Sequence, residues 1–182
     1  YSICPQAAGK YISSLYGTKK NIWIGTDEGI YIYAYATETF TYFDLTTPNN
    51  VRITSIVNHI LQDKDGNLWF STNGQGLFRY NLSKNYLEQY EFTSAFGIVA
   101  STMADSDNQI WALTNQGESG VYKLNKAENK FEPFGLLYNA GNHHSQALAM
   151  LEDSEQTLWL GTWECGLQKI DKYTRQTTTY LH

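Results

Sequence analysis

The chain has 182 residues, 15% aromatic and only 17% charged, with a net charge of -5. That length allows one large domain or two small ones with a substantial core. The acidic balance argues against nucleic acid, whose phosphates need clustered Lys and Arg, and no apolar run reaches the length of a membrane span.

The predicted elements are strands throughout. In chain order, residues 1–10 read as a leader or the tail of a preceding unit. Four units follow at 11–46, 53–93, 97–135 and 145–182. The second is the clearest. Residues 55–62 form a largely apolar strand. Asp63-Lys64-Asp65-Gly66-Asn67 then makes a tight turn, because Asp, Asn and Gly tolerate positive φ. Residues 68–72 form a short aromatic strand, 73–75 turn the chain again, 76–80 make a third strand, and 86–92 a more polar fourth. Corresponding turns are expected at 18–21, 105–109 and 153–157. No stretch sustains a 3.6-residue period.

The register comes from Trp23, Trp69, Trp111 and Trp159, spaced by 46, 42 and 48 residues. Each is followed three residues later by Thr (Thr26, Thr72, Thr114, Thr162). A glycine then precedes an aliphatic residue in every copy: Gly29-Ile30, Gly76-Leu77, Gly120-Val121 and Gly166-Leu167. Four short strands per repeat, with polarity rising from first to last, define an all-β chain of β-propeller blades, each a four-stranded antiparallel sheet. Inner strands should be apolar on both faces, as Ile56, Val57, Ile60 and Leu61 are, and the run 147–151. Each repeated Trp should fill the gap between blades. Four blades are few for a closed ring, so an arc cut from a larger propeller is expected. Its end faces would favour self-association.

The string from Ile60 to Thr72, continued by Gly76-Leu77-Phe78-Arg79-Tyr80-Asn81, resembles the two-component regulator propeller repeat. Leu158-Trp159-Leu160-Gly161-Thr162 and Ile22-Trp23-Ile24-Gly25-Thr26 are similar. The third copy departs, with Leu113 where the family prefers glycine and a longer loop at 116–119. The resemblance implies the periplasmic part of a Bacteroides-type hybrid sensor that detects oligosaccharides, with membrane span and kinase outside this chain.

Loops between second and third strands share a face with the connections between blades, and ligands of propellers usually meet that face. It collects Asp27, Glu28, Arg52, Asn73, Gln75, Asn115, Gln116, Glu118, His143, His144, Trp163 and Glu164. Trp163 is the one tryptophan outside the repeat position, and an exposed indole can stack on the apolar face of a sugar. Glu164, Asn73, Arg52 and His143 complete the candidate ligand site; packing of Trp163 on a neighbouring loop is the alternative. No metal or cofactor is expected. His143-His144 lacks a third ligand at a recognised spacing, and the 63–67 run has its glycine in the wrong place for a calcium loop. Cys4 and Cys165 could pair or remain thiols. A catalytic role is not expected, because three arginines are too few for a sialidase-like cluster and no carboxylate pair stands out. The rival readings are a structural or protein-interaction scaffold and, last, a carbohydrate-active enzyme.

Overall fold

A computed structural model describes residues 9–92, 97–114, 120–136, 146–163 and 166–180. Among the described residues, sixteen strands form four separate four-stranded antiparallel sheets. Blade 1 holds β1 (Ile12–Gly17), β2 (Asn21–Thr26), β3 (Gly29–Ala34) and β4 (Thr39–Tyr42). Blade 2 holds β5 (Val57–Gln62), β6 (Leu68–Thr72), β7 (Leu77–Asn81) and β8 (Tyr86–Tyr90). Blade 3 holds β9 (Val99–Ala104), β10 (Ile110–Thr114), β11 (Gly120–Asn125) and β12 (Lys130–Leu136). Blade 4 holds β13 (Ala147–Glu152), β14 (Thr157–Thr162), β15 (Leu167–Asp171) and β16 (Thr177–Tyr180). Within each sheet, spatial order follows chain order. No helix among the described residues is long and apolar enough to cross a membrane.

The first strands pack in succession, β1 on β5, β5 on β9 and β9 on β13. Side chains near their starts tie them together. Ser13 and Ser14 donate to the Val57 carbonyl at 2.8 and 2.6 Å, and the Asn58 amide donates to the Val99 carbonyl at 2.9 Å. In every blade the register of the first strand slips by one residue near its start. That bulge turns Ser13 and Asn58 toward the next blade. Among the described residues β1 and β13 share no comparable packing, so the blades form an open arc.

Three apolar clusters fill the junctions among the described residues, and the repeated Trp of blades 1, 2 and 3 reaches forward into the next blade. Trp23 packs with Phe43 and with Phe70 and Tyr80 of blade 2. Trp69 meets Tyr90 and the blade 3 residue Phe131, and Trp111 lies with Leu158, Leu160 and Ile170 of blade 4. Trp159 departs from the expected wedge. It is only half-buried, because no further blade among the described residues lies over it, and it stacks on Tyr180. The inner strand of blade 4 departs too. Leu148 and Leu151 are exposed, where both faces were expected to be covered.

Two hydrogen-bonded devices explain the repeat. The first Asp of the turn accepts from the indole Nε1 six residues on: Asp63 from Trp69 at 2.8 Å, Asp105 from Trp111 at 3.0 Å, and Asp153 from Trp159 at 2.7 Å. The same carboxylates accept the backbone N–H of Asn67, Gln109 and Thr157, so one side chain closes the turn and fixes the Trp rotamer. Blade 1 has a turn one residue shorter, with Thr18 in the closing position, and Trp23 Nε1 is buried without an acceptor among the described residues.

The second device closes the opposite end. The repeated Thr hydroxyl donates to the carbonyl of the repeated Gly: Thr26 to Gly29, Thr72 to Gly76, Thr114 to Gly120 and Thr162 to Gly166. Gly76 has φ +76°, and a Cβ there would stand 2.3 Å from the Tyr90 carbonyl oxygen, so only glycine fits.

Candidate functional site: the inter-blade loop face

The loops closed by these Thr–Gly bonds share one face with the chain segments entering each blade. The residue after the Thr donates its N–H to the segment preceding the inner strand: Asp27 to Tyr11, Asn73 to Ile56, and Trp163 to Gln146, at 3.1, 2.9 and 2.9 Å. Asp27, Asn73 and Trp163 therefore occupy one structural position in three blades.

Their side chains differ in what they do. Asp27 accepts the Tyr11 N–H, and the neighbouring Glu28 pairs with Lys10. Asn73 is exposed. Trp163 is 71% exposed, the most exposed of the large hydrophobic side chains described. Its backbone is pinned while its indole stands in solvent, a rigid flat surface at a loop tip.

Arg52 is also on this face, but its guanidinium is held by Asp44 at 2.7 Å, and its carbonyl accepts from the Gln75 amide at 2.9 Å. Gln75, a polar loop residue by its sequence position, is fully engaged. Its Oε1 accepts from Thr54 N and Ser55 N at 2.8 and 2.9 Å, clamping the incoming segment to the loop. Nothing in the sequence marks that role, because the partners are backbone groups twenty residues upstream.

Beside this clamp a polar cavity of about 180 Å³ is lined by Gln75, Gln89, Glu91 and Phe92 together with Gly74, Gly76 and Gly97. The glycine backbones approach closely there, with Gly76 N–H donating to the Gly97 carbonyl at 2.8 Å. Arg52 and Asn73 thus flank one cavity-bearing loop cluster in blade 2, while Trp163 belongs to blade 4. Glu164 and His143, with Asn115, Gln116, Glu118, His144, Cys4 and Cys165, lie outside the described residues.

His59 is inside an inner strand, as expected. Its Nδ1 faces the Thr102 N–H at 3.5 Å, and burial lowers its pKa, so it is a neutral packing residue near pH 7. No group of three or more His, Cys, Asp or Glu among the described residues could hold a metal ion. The 63–67 turn spends its carboxylates on protein donors: Asp63 on Asn67 and Trp69, and Asp65 on Asn108 at 2.9 Å.

Four sheets stacked edge-in around their first strands, with a forward-reaching Trp at each junction, define a segment of β-propeller. The family described as two component regulator propeller matches residues 49–74, from the segment entering blade 2 through its second strand and into the following loop. The resemblance carried by the second repeat is shown by that match.

Solved structures agree on the fold. The extracellular domain of BT4673 from B. thetaiotaomicron superposes with TM-score 0.75 at 22% identity, over 92% of this chain and 22% of that one. That of BT3049 from the same organism, described as a hybrid two component system, gives TM-score 0.74 at 20% identity, over 94% and 25%. Virginiamycin B lyase from Staphylococcus aureus gives 0.72 at 18% identity, over 97% and 56%. The chain spans about a quarter of the length of the two B. thetaiotaomicron domains. No curated protein sequence matches it.

Proposed function

We propose that this chain is part of the extracytoplasmic region of a two-component sensor, and that its inter-blade loop face recognises an oligosaccharide without catalysis. One observation carries the reading: Trp163 presents an exposed indole at a position where blades 1 and 2 carry Asp27 and Asn73. An aromatic plane on a fixed backbone costs little entropy to dock against a sugar ring. Asn73, exposed at the tip of the blade 2 loop, supplies hydrogen-bonding groups of the kind sugars need. The matches to sensor-type propellers support the placement outside the cytoplasm. Binding would bias two arrangements of the whole receptor, with signal leaving through membrane and kinase segments outside this chain.

A structural scaffold is the second reading, favoured by a specific observation. Arg52, Gln75, Asp27 and Glu28 all spend their polar groups within the chain. In that reading the loop face is stapled for rigidity, and partners meet the exposed end faces, where a second copy could seat its blade 1 on blade 4. Calorimetric titration of the chain with a panel of glycan fragments separates the two. Under the sensing reading one fragment binds and Trp163→Ala weakens it at least about tenfold, the loss of one good stacking contact. Unchanged affinity in that variant, or no binding by any fragment, favours the scaffold. Release of a cleaved product would restore the enzymatic alternative.

A further inference from the structure

Each blade has a forward face, which carries the repeated Trp, and a receiving face that meets the Trp of the blade before it. Residues directly opposite each other in a sheet share a face, so the pairings assign both. Three forward faces are covered within the chain, by the receiving faces of blades 2, 3 and 4. One face of each kind is left over. On the forward face of blade 4, Leu151 lies opposite Trp159, and Leu167 lies opposite Tyr180 in the next row. Leu151, Leu167 and Tyr180 are exposed. On the receiving face of blade 1, Leu15 is exposed and Ile22, Tyr33 and Phe40 are half-buried; of the apolar residues described there only Ile24 is buried. Ile60, Leu68 and Leu87, in the places of Leu15, Ile22 and Phe40, are buried against blade 1.

The turns beside these two faces are opposite in charge. Across the junction of blades 2 and 3 the turns meet directly: the Asn108 amide donates to Asp65 at 2.9 Å, and the Lys64 N–H donates to Asn108 Oδ1 at 2.9 Å. Asp63 and Asp153 each hold the indole six residues on, so Ser154 and Glu155 of blade 4 stand in the places of Lys64 and Asp65. The turn of blade 1 offers Lys19 and Lys20 instead, and it is the only one of the four without a carboxylate. Glu155, Lys19 and Lys20 are all exposed.

We propose that blade 1 of a second copy seats on the forward face of blade 4, and that two copies do so reciprocally, closing into one ring of eight blades. A second copy carries both things the face calls for: a receiving face of the same repeat, and a basic turn that lands beside Glu155. The exposed apolar rows supply the driving force, because the contact removes them from water on both sides. The turn charges decide which face meets which. A contact between unlike faces gives a finite assembly only when the last free face returns to the first. Reciprocal seating of two open arcs meets that condition, and eight blades lie within the usual range of propellers. The inference concerns the end faces, goes beyond the sensing reading of the loop face, and does not rest on it.

Sedimentation of the chain from about 1 µM to about 200 µM, the range over which a modest interface dissociates, tests it. The mass should pass from one copy at the dilute end to two at the concentrated end, and stop there. Leu151→Glu on the forward face and Leu15→Glu on the receiving face should each hold the chain at one copy throughout. Both sites are exposed, so the circular dichroism of each variant should match the parent. Mixed in equal amounts, the two variants should recover a species of two copies, because one intact forward face and one intact receiving face remain between them. Glu155→Lys should weaken pairing at least about tenfold, and adding Lys19→Glu and Lys20→Glu to the same chain should restore it. A parent chain that stays single, or that grows past two copies, overturns the proposal. So does a mixture of the two variants that stays single, or undiminished pairing of Leu15→Glu alone, which would mean that two forward faces meet each other.

Discussion

Blades 2 and 4 carry the same pattern in the same register but live in different surroundings. In blade 2, Trp69, Leu77 and Tyr90 are buried beneath blade 3. Their counterparts in blade 4 are Trp159, Leu167 and Tyr180, as the pairings of Ser71 with Leu77, Leu77 with Tyr90, Gly161 with Leu167 and Leu167 with Tyr180 establish. Leu167 and Tyr180 are 43% and 48% exposed, and Trp159 is half-buried. Blade 1 shows the complementary deficit on its other face, where Leu15 is 64% exposed while its counterpart Ile60 is buried. A blade's own residues decide its strands and turns. Its neighbours decide how much those residues stabilise, as in any repeat whose faces are covered only by stacking.

The largest test of this contrast is to truncate equivalent tryptophans. Trp111→Ala removes a fully buried indole and should cost about 4 kcal/mol in urea unfolding, as core aromatic truncations do. Trp159→Ala should cost about 1 kcal/mol, the scale of one aromatic pair with Tyr180. Equal losses would mean that the end blade is covered in solution.

Next in size is the buried lysine. Lys172→Met strands Asp105 and Glu152 without their cation and should destabilise by about 3 kcal/mol. Lys126 stands three residues beyond the Trp111 partner Lys123, as Lys172 stands beyond the Trp159 partner Lys169, but it is exposed, so Lys126→Met should change stability by less than about 0.5 kcal/mol. The pair also has a pH signature. Burial by itself lowers the Lys172 pKa, but the hydrogen bonds to Glu152, Asp107 and Asp105 outweigh it and raise the pKa above the ordinary lysine value. That stabilisation is complete below the unfolded lysine pKa and disappears only as pH rises through the raised folded value. Asp107 is shifted the other way, held down chiefly by its hydrogen bond to Lys172. Its share is complete above the unfolded aspartate pKa and is lost as pH falls through the lowered folded value. Urea midpoints between pH 2 and 7 should therefore drop on the acid side in the parent chain and drop less in Lys172→Met.

The smallest effect sharpens the contrast at the first blade. Thr18→Asp offers Trp23 Nε1 the carboxylate that its counterparts have, and should stabilise by about 1 kcal/mol, the worth of satisfying one buried donor. No gain would indicate that the shorter turn holds the new carboxylate out of reach of the indole.

Much of this architecture was legible in the residues. The Trp–Thr–Gly spacing gave four blades, and the second blade's strands at 57–62, 68–72, 77–81 and 86–90 fall within a residue or two of those expected. The roles of the repeated residues were not legible. Thr72 and Gly76 read as a pattern without showing that one hydroxyl closes the loop on one carbonyl, and Asp63 read as a turn former without showing its grip on Trp69. Such bonds depend on side-chain direction across a bent hairpin, which spacing does not encode. The exposure of Leu148 and Leu151 escaped for another reason: an apolar inner strand announces what it can bury against, and says nothing of whether that neighbour is present. On the loop face, Trp163 was singled out because it broke the repeat, whereas Gln75 looked free until its upstream backbone partners were in view.

The forward reach of Trp23, Trp69 and Trp111 gives the stack a direction. Each unit has a protruding side and a receiving side, so a duplicated unit inherits a mate for its parent without new complementarity having to evolve. Growth in length then comes at little structural cost, while reversal of any one unit would set two protrusions against each other. Lineages built this way can drift in their loops and count of units, yet the handed fit between one unit and the next holds them to a single order of assembly.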